Sequence, residues 1–225
     1  FDLTVFLTAV DPWLKGNGCV HEGEVSTRLG LPVVPEAAEV VALARELALI
    51  ETTGARAHIT QLSCARSVEK IREAKARGLN VTAAVSAHHL HLSEQDIGEF
   101  DTRCHVMPPL RSIADRDALR EGLVSGVIDA ICSDHQPHGL DAKLAPFSES
   151  APGIAGLETL LSLTLKLVNE KVISLSDGLA RVTTQPARIL GIDVGQLTPR
   201  TPADICILDP NTQWRVAASG LASQG

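Results

Sequence analysis

Tyrosine is absent from the 225 residues, and all aromatics together make up 3%. Stacking platforms for bases or sugars are therefore not expected, and the core must be built from Leu, Val, Ile and Ala. The formal charge is −7 and the pI near 5.6, with no Lys/Arg cluster, which argues against a nucleic-acid partner. No stretch approaches the roughly 20 apolar residues needed to cross a bilayer, so no membrane contact is expected. Phe1–Leu7 lack the basic start and small-residue cleavage site of a secretory signal. Phe1 stands where an initiator Met would, which predicts a processed or cut chain. Cys19, Cys64, Cys104, Cys132 and Cys206 form no CxxC pair, so neither a zinc knuckle nor a redox motif is supported. Reduced, buried thiols in a cytoplasmic protein are the expectation. GxGxxG and GxxxxGK[ST] are missing after every candidate strand, which removes support for a phosphate-cradling turn.

What remains is ordinary globular material, 44% apolar and 21% charged. The length suits one large domain or one and a half. Strand and helix alternate along it. Leu3–Leu7, Ala57–Leu62, Asn80–Val85 and Val127–Cys132 read as strands. Pro35–Thr52, Ser67–Arg77, Asp115–Ser125, Gly156–Asn169 and Ser176–Thr184 read as helices, with Gly78 and Gly126 as stops and Ser176 as an N-cap. Val40, Val41, Leu43, Ala44, Leu47 and Ile50 give the first helix its apolar stripe, while Glu36, Glu39, Arg45 and Glu46 read as a solvated face. Near-continuous apolar strands between amphipathic helices predict a parallel sheet. Four such units make half of a (β/α)₈ barrel, which needs about 250 residues in full; an open, doubly wound four-stranded domain is the competing architecture. Ala203–Leu208, between Pro202 and Asp209-Pro210-Asn211, predicts one strand of an accessory β-structure.

In a parallel barrel the chemistry sits at the carboxyl ends of the strands. The ends here are Leu7-Thr8-Ala9-Val10-Asp11, His58-Ile59-Thr60-Gln61-Leu62-Ser63, Val85-Ser86-Ala87-His88-His89-Leu90 and Cys132-Ser133-Asp134-His135-Gln136-Pro137-His138. The last is the densest polar cluster in the chain. An Asp directly after a buried strand, followed by imidazoles, suits a metal ligand or a general base. The alternative is an Asp that caps a turn, with histidines at the surface.

Cys132–His138, together with His21-Glu22-Gly23, Ser67-Val68-Glu69, His88-His89-Leu90 and Met107-Pro108-Pro109-Leu110-Arg111-Ser112, resembles the hydantoinase-type dihydroorotases of the amidohydrolase superfamily. The likeness continues through Ala151–Thr159 and Pro202–Pro210, in the right order. It implies the C-terminal half of a (β/α)₈ TIM-type barrel, about strands five to eight, over residues 1–190. Part of a flanking β-sandwich is implied over residues 191–225. It implies a zinc centre and the reversible interconversion of dihydroorotate and carbamoyl aspartate. Asp134 matches the family's general acid/base, His138 its substrate-side histidine, and Pro152-Gly153 the loop that holds the pyrimidine ring.

The departures from the family pattern fall on the metal. Thr8 and Gln61 occupy the places of two zinc-binding histidines, and Met107 that of a substrate-contacting Asn. A hydroxyl and a carboxamide are poor zinc ligands beside imidazole, so no metal is expected there, with Asp134 the remaining ligand if one binds. His58 is expected to face away from Gln61's side of the strand. His21, His88 and His89 read as structural polar residues, His91 and His105 as surface or loop positions, and Trp13 as packing or as a plug in the vacated metal side. Two functions stay open. One is an active, zinc-dependent dihydroorotase. The other is a silent homologue that forms an oligomer with the catalytic chain of aspartate carbamoyltransferase.

Overall fold

Six strands form in the computed structural model, which describes residues 3–217 and 220–223. Phe1 and Asp2, and positions 218, 219, 224 and 225 of the expected accessory segment, lie outside the described residues. The strands are β1 (Val5–Thr8), β2 (Val20–His21), β3 (Val33–Val34), β4 (Ala57–Thr60), β5 (Val81–Ser86) and β6 (Ala130–Cys132). The helices are α1 (Pro12–Lys15), α2 (Glu24–Leu29), α3 (Ala37–Thr53), α4 (Ala65–Ala76), α5 (Ile113–Val124), α6 (Asp141–Leu144), α7 (Leu160–Asn169), α8 (Leu175–Val182) and α9 (Thr184–Leu190). One parallel sheet runs in the order β1-β4-β5-β6, and β2 pairs parallel with β3 beside it. Among the described residues no helix is long and apolar enough to cross a membrane.

Strand alternation sorts the sheet into two faces. Ile59, Ala83, Val85 and Ile131 enter the main core with Leu43, Leu47 and Ile50 of α3, Ile71 of α4, Leu119 and Leu123 of α5, and Leu167 of α7. Phe6, Thr8, His58, Thr60 and Thr82 share the other face: the Phe6 and His58 rings lie 5.0 Å apart, and the Thr8 and Thr60 hydroxyls 2.8 Å. Helices α3, α4, α5 and α7 therefore cover one face, as in a barrel segment and unlike a doubly wound sheet, where both faces are covered. Ile189 of α9 packs on Ala84 and Ala130 of the inner face. Gly78 and Gly126, just past the caps of α4 and α5, take φ of 82° and 78°, which a Cβ would resist.

Several expectations are corrected. The N-cap of α8 is Ser174, whose Oγ accepts from the Asp177 amide at 3.1 Å, because the helix starts at Leu175. The α7 helix starts only at Leu160; Gly156 lies against the Ser133 carbonyl, where a Cβ would meet oxygen at 2.1 Å. Val127 and Ile128 are buried without being strand. Ala203–Leu208 forms no strand, since no described strand pairs with it. In α3, Val41 and Ala44 are exposed, and Ala38, Ala42 and Glu39 are buried in their stead. His91 is half-buried with its Nε2 donating to the Leu163 carbonyl, and His105 is buried against Phe147 and Ser150. Trp13 neither packs nor plugs; it is 91% exposed on α1, which Asp11 caps through the Trp13 and Leu14 amides.

Candidate functional site

The carboxyl ends of β4, β5 and β6 converge on Asp134. Its side chain is 4% exposed. Gln136 Nε2 donates to Asp134 Oδ1 at 2.8 Å, and Gln61 Nε2 donates to the same oxygen. His88 Nε2 stands 3.8 Å from Oδ2. Both Gln61 and Asp134 have left-handed backbone, φ 55° and 45°, a conformation that strains a residue with a Cβ.

The histidines behind Asp134 are neutral. His89 Nε2 faces the Pro109 carbonyl at 3.2 Å and so carries the proton; its Nδ1 then accepts from Ser86 Oγ at 2.6 Å. The Ser86 proton being used, His88 Nε2 is the donor across the 3.3 Å to that hydroxyl. Burial pushes His88 down to about 4, and burial followed by the neighbouring His88 pushes His89 to about 3. Burial first, then the Asp134 charge, lifts the Cys132 thiol to about 12, which keeps it protonated and unreactive. Burial is also the main cause that lowers His58, whose Nδ1 is bonded to Thr82 Oγ1 at 2.8 Å.

The loop after β6 joins the rest. The Gln136 amide donates to the Ile154 carbonyl at 2.9 Å, and His138 Nε2 donates to the Pro152 carbonyl at 2.9 Å. Gly153 has φ 143°, and a Cβ there would meet the Gln136 carbonyl at 2.6 Å and His138 Nε2 at 2.9 Å. Asp134, His138, Pro152 and Gly153 are thus brought together, with Gln61 joined through Asp134. Lys143 of α6 fastens the same loops: its ammonium donates to the carbonyls of Ala151 at 2.7 Å and of Thr102 and His105 at 3.2 Å.

Thr8 lies to one side. Thr60 donates to the Leu7 carbonyl at 3.2 Å, so the Thr8 hydroxyl gives its proton to Thr60. With Met107, Val10, Ala9, Pro108 and Arg111 it lines a cleft of about 80 Å³. Behind this cleft a buried network joins α3 to the loops. Glu39, read above as solvated, is 3% exposed; its Oε1 accepts the Ser63 amide at 3.0 Å and its Oε2 the Ser63 hydroxyl. Arg111, also 3% exposed, donates to Ser63 Oγ at 3.1 Å and to the Val34 carbonyl at 2.8 Å, with His21 Nδ1 3.2 Å away.

Comparison with known proteins gives the chain its family. A family model described as the amidohydrolase family matches residues 29–223. The chain belongs to the amidohydrolase family. A dihydroorotase-like protein of Pseudomonas aeruginosa is 47% identical over 210 residues, which are 93% of this chain and 50% of that protein. A dihydroorotase of Syntrophus aciditrophicus is 45% identical over 212 residues, 94% of this chain and 50% of its own. Among solved structures, an L-hydantoinase (dihydropyrimidinase) from Arthrobacter aurescens superposes with a TM-score of 0.83 at 26% identity, over 96% of this chain and 50% of that one. The chain spans about half the length of the curated relatives it matches.

In this amidohydrolase the two places that the resemblance gives to zinc-binding imidazoles do not fit a zinc ion. Gln61 turns the nitrogen of its amide, a donor, toward Asp134, and the Thr8 hydroxyl is tied into the sheet. Among the described residues no group of three or more His, Cys, Asp or Glu side chains is arranged to hold a metal. Sequence reasoning missed Gln136, Lys143 and the Glu39–Ser63–Arg111 network. Gln136 sits inside the Ser133–His138 string, and Glu39 shares the helical register of Leu43, Leu47 and Ile50. Lys143 carries no sequence signal.

Proposed function

We propose that this amidohydrolase chain belongs to a dihydroorotase-like protein of pyrimidine biosynthesis that is catalytically silent and serves as a structural subunit of aspartate carbamoyltransferase. The names of its relatives support the first part. One observation carries the silence: the amide of Gln61, at the place of a ligand imidazole, is bonded to the Asp134 carboxylate. Zinc is then not expected as a cofactor. The structural role follows from the resemblance and from apolar groups left open at the mouth end of the sheet. Trp13 after β1, and Leu140 and Leu144 after β6, are 91%, 81% and 79% exposed. An active, zinc-dependent dihydroorotase is the alternative, favoured by Asp134, His138, Pro152 and Gly153 still standing together.

Size-exclusion chromatography of the protein mixed with the catalytic chain of aspartate carbamoyltransferase tests this reading. Co-elution is expected, unchanged by Asp134→Ala, with no stoichiometric zinc after dialysis and no turnover of dihydroorotate. Independent elution at micromolar concentration overturns the structural role; zinc-dependent turnover overturns the silence.

A further inference from the structure

The backbone at the end of β4 is built to bring one side chain inward. Ile59 points into the helix-covered core and Thr60 to the inner face, so a regular strand would send Gln61 back toward the helices. The left-handed turn at Gln61 reverses this, and the Leu62 amide resumes the sheet ladder by donating to the Ala84 carbonyl at 3.0 Å. What Gln61 meets is a carboxylate that is nearly out of water, Asp134, itself at φ 45°. Among the described residues no lysine or arginine pairs with Asp134; the one ion-pair contact is His88 at 3.8 Å, beyond hydrogen-bond reach. A buried carboxylate needs a counter-group. Oδ1 receives two amide N–H donors, one from Gln61 and one from Gln136.

We propose that Gln61, assisted by Gln136, is the built-in counter-group of Asp134: a neutral two-amide clamp that holds the carboxylate where a cation would otherwise have to. Gln61 is then a positioning residue with its own task, and not merely a ligand that has been lost. The clamp gives the strained, inward-turned backbone at Gln61 a use in a chain where no metal-binding imidazole stands at that place. It rests on the silent reading only in taking the metal place as given up. Its test reads folding and pairwise coupling, which partner binding and turnover do not move.

The test is a reciprocal exchange, followed by thermal unfolding at pH 7. Gln61→Glu sets two carboxylates against each other, and a melting point lower by roughly 3–8 °C is expected. Asp134→Asn alone should shift it by less than about half as much, because an amide still offers both a donor and an acceptor. The double variant reverses donor and acceptor, with the Gln136 carboxamide turned to present its oxygen to the Asn, and should recover most of the loss. Gln61→Leu supplies a second cycle: it should be costly beside Asp134 and much less so beside Asn, with any backbone strain cancelling between the two backgrounds. Equal shifts in both backgrounds, or a Gln61→Glu protein as stable as the parent, overturn the clamp. So does a saturable rise in melting point when zinc chloride is added to the parent and not to Asp134→Ala, since the carboxylate would then be open to a cation.

Discussion

Between pH 6.5 and about 4 the protein should lose several kcal/mol of stability, more than ordinary surface titration would remove. His88, His89 and His105 are all buried, and burial lowers them to about 4, 3 and 4 from an ordinary value of 6.5. In the unfolded chain each takes up a proton as the pH falls through about 6.5. In the folded chain none does until far lower. The unfolded state therefore binds more protons across this window, and stability is full above 6.5 and declines as the pH falls. Each histidine contributes a slope of about 1.4 kcal/mol per pH unit while the difference lasts. Urea unfolding at pH 7, 5.5 and 4.5 measures it, and His89→Gln should flatten the profile by one histidine's share. A level profile would mean that these rings accept protons inside the fold.

Arg111→Met should be among the most damaging single substitutions, at roughly 3–5 kcal/mol, because it leaves the Glu39 carboxylate buried with no cation in its network. Glu39 and Arg111 do not touch directly; the Ser63 hydroxyl donates to one and accepts from the other. The Val34 carbonyl loses its donor in the same stroke. Glu39→Leu should cost a similar amount, stranding the guanidinium in turn. Combined, the two substitutions should cost clearly less than their sum, since an apolar pair needs no counter-charge. Chemical denaturation of the four proteins decides it. A loss below about 1 kcal/mol for Arg111→Met would show that water reaches Glu39 and takes over. Ser63 stands two residues after Gln61 and Arg111 four after Met107, so the network also fixes both turns that face the site.

The sheet was legible because the face under the helices must be apolar, and Ala57 and Ile59 in β4 and Val81, Ala83 and Val85 in β5 are. The ribbon of β2 and β3 was not, since two-residue strands have no period to read. Glu39 misled for a related reason. A charge on a helix reads as solvated, although its spacing from Leu43 and Leu47 places it on the apolar stripe, and only the distant Ser63 and Arg111 make that tenable. The cap of α8 falls on Ser174 and not on Ser176, because hydrophobic pattern alone leaves a helix start uncertain by a residue or two. In the site, Asp134, His138, Pro152 and Gly153 were readable from strand ends and family motifs. The contact between Gln61 and Asp134 was not, because it depends on two left-handed residues that strand alternation does not anticipate.

The ammonium of Lys143 grips carbonyls from two separate loops, and Gly153 donates to the His105 carbonyl across the same seam at 2.8 Å. Loops at a barrel mouth often open independently, each with its own small free energy. Here segments 102–105 and 151–153 share one fastener, so neither swings without the other. The rim on this side is therefore expected to open as one panel, and not as two loops, beside Asp134.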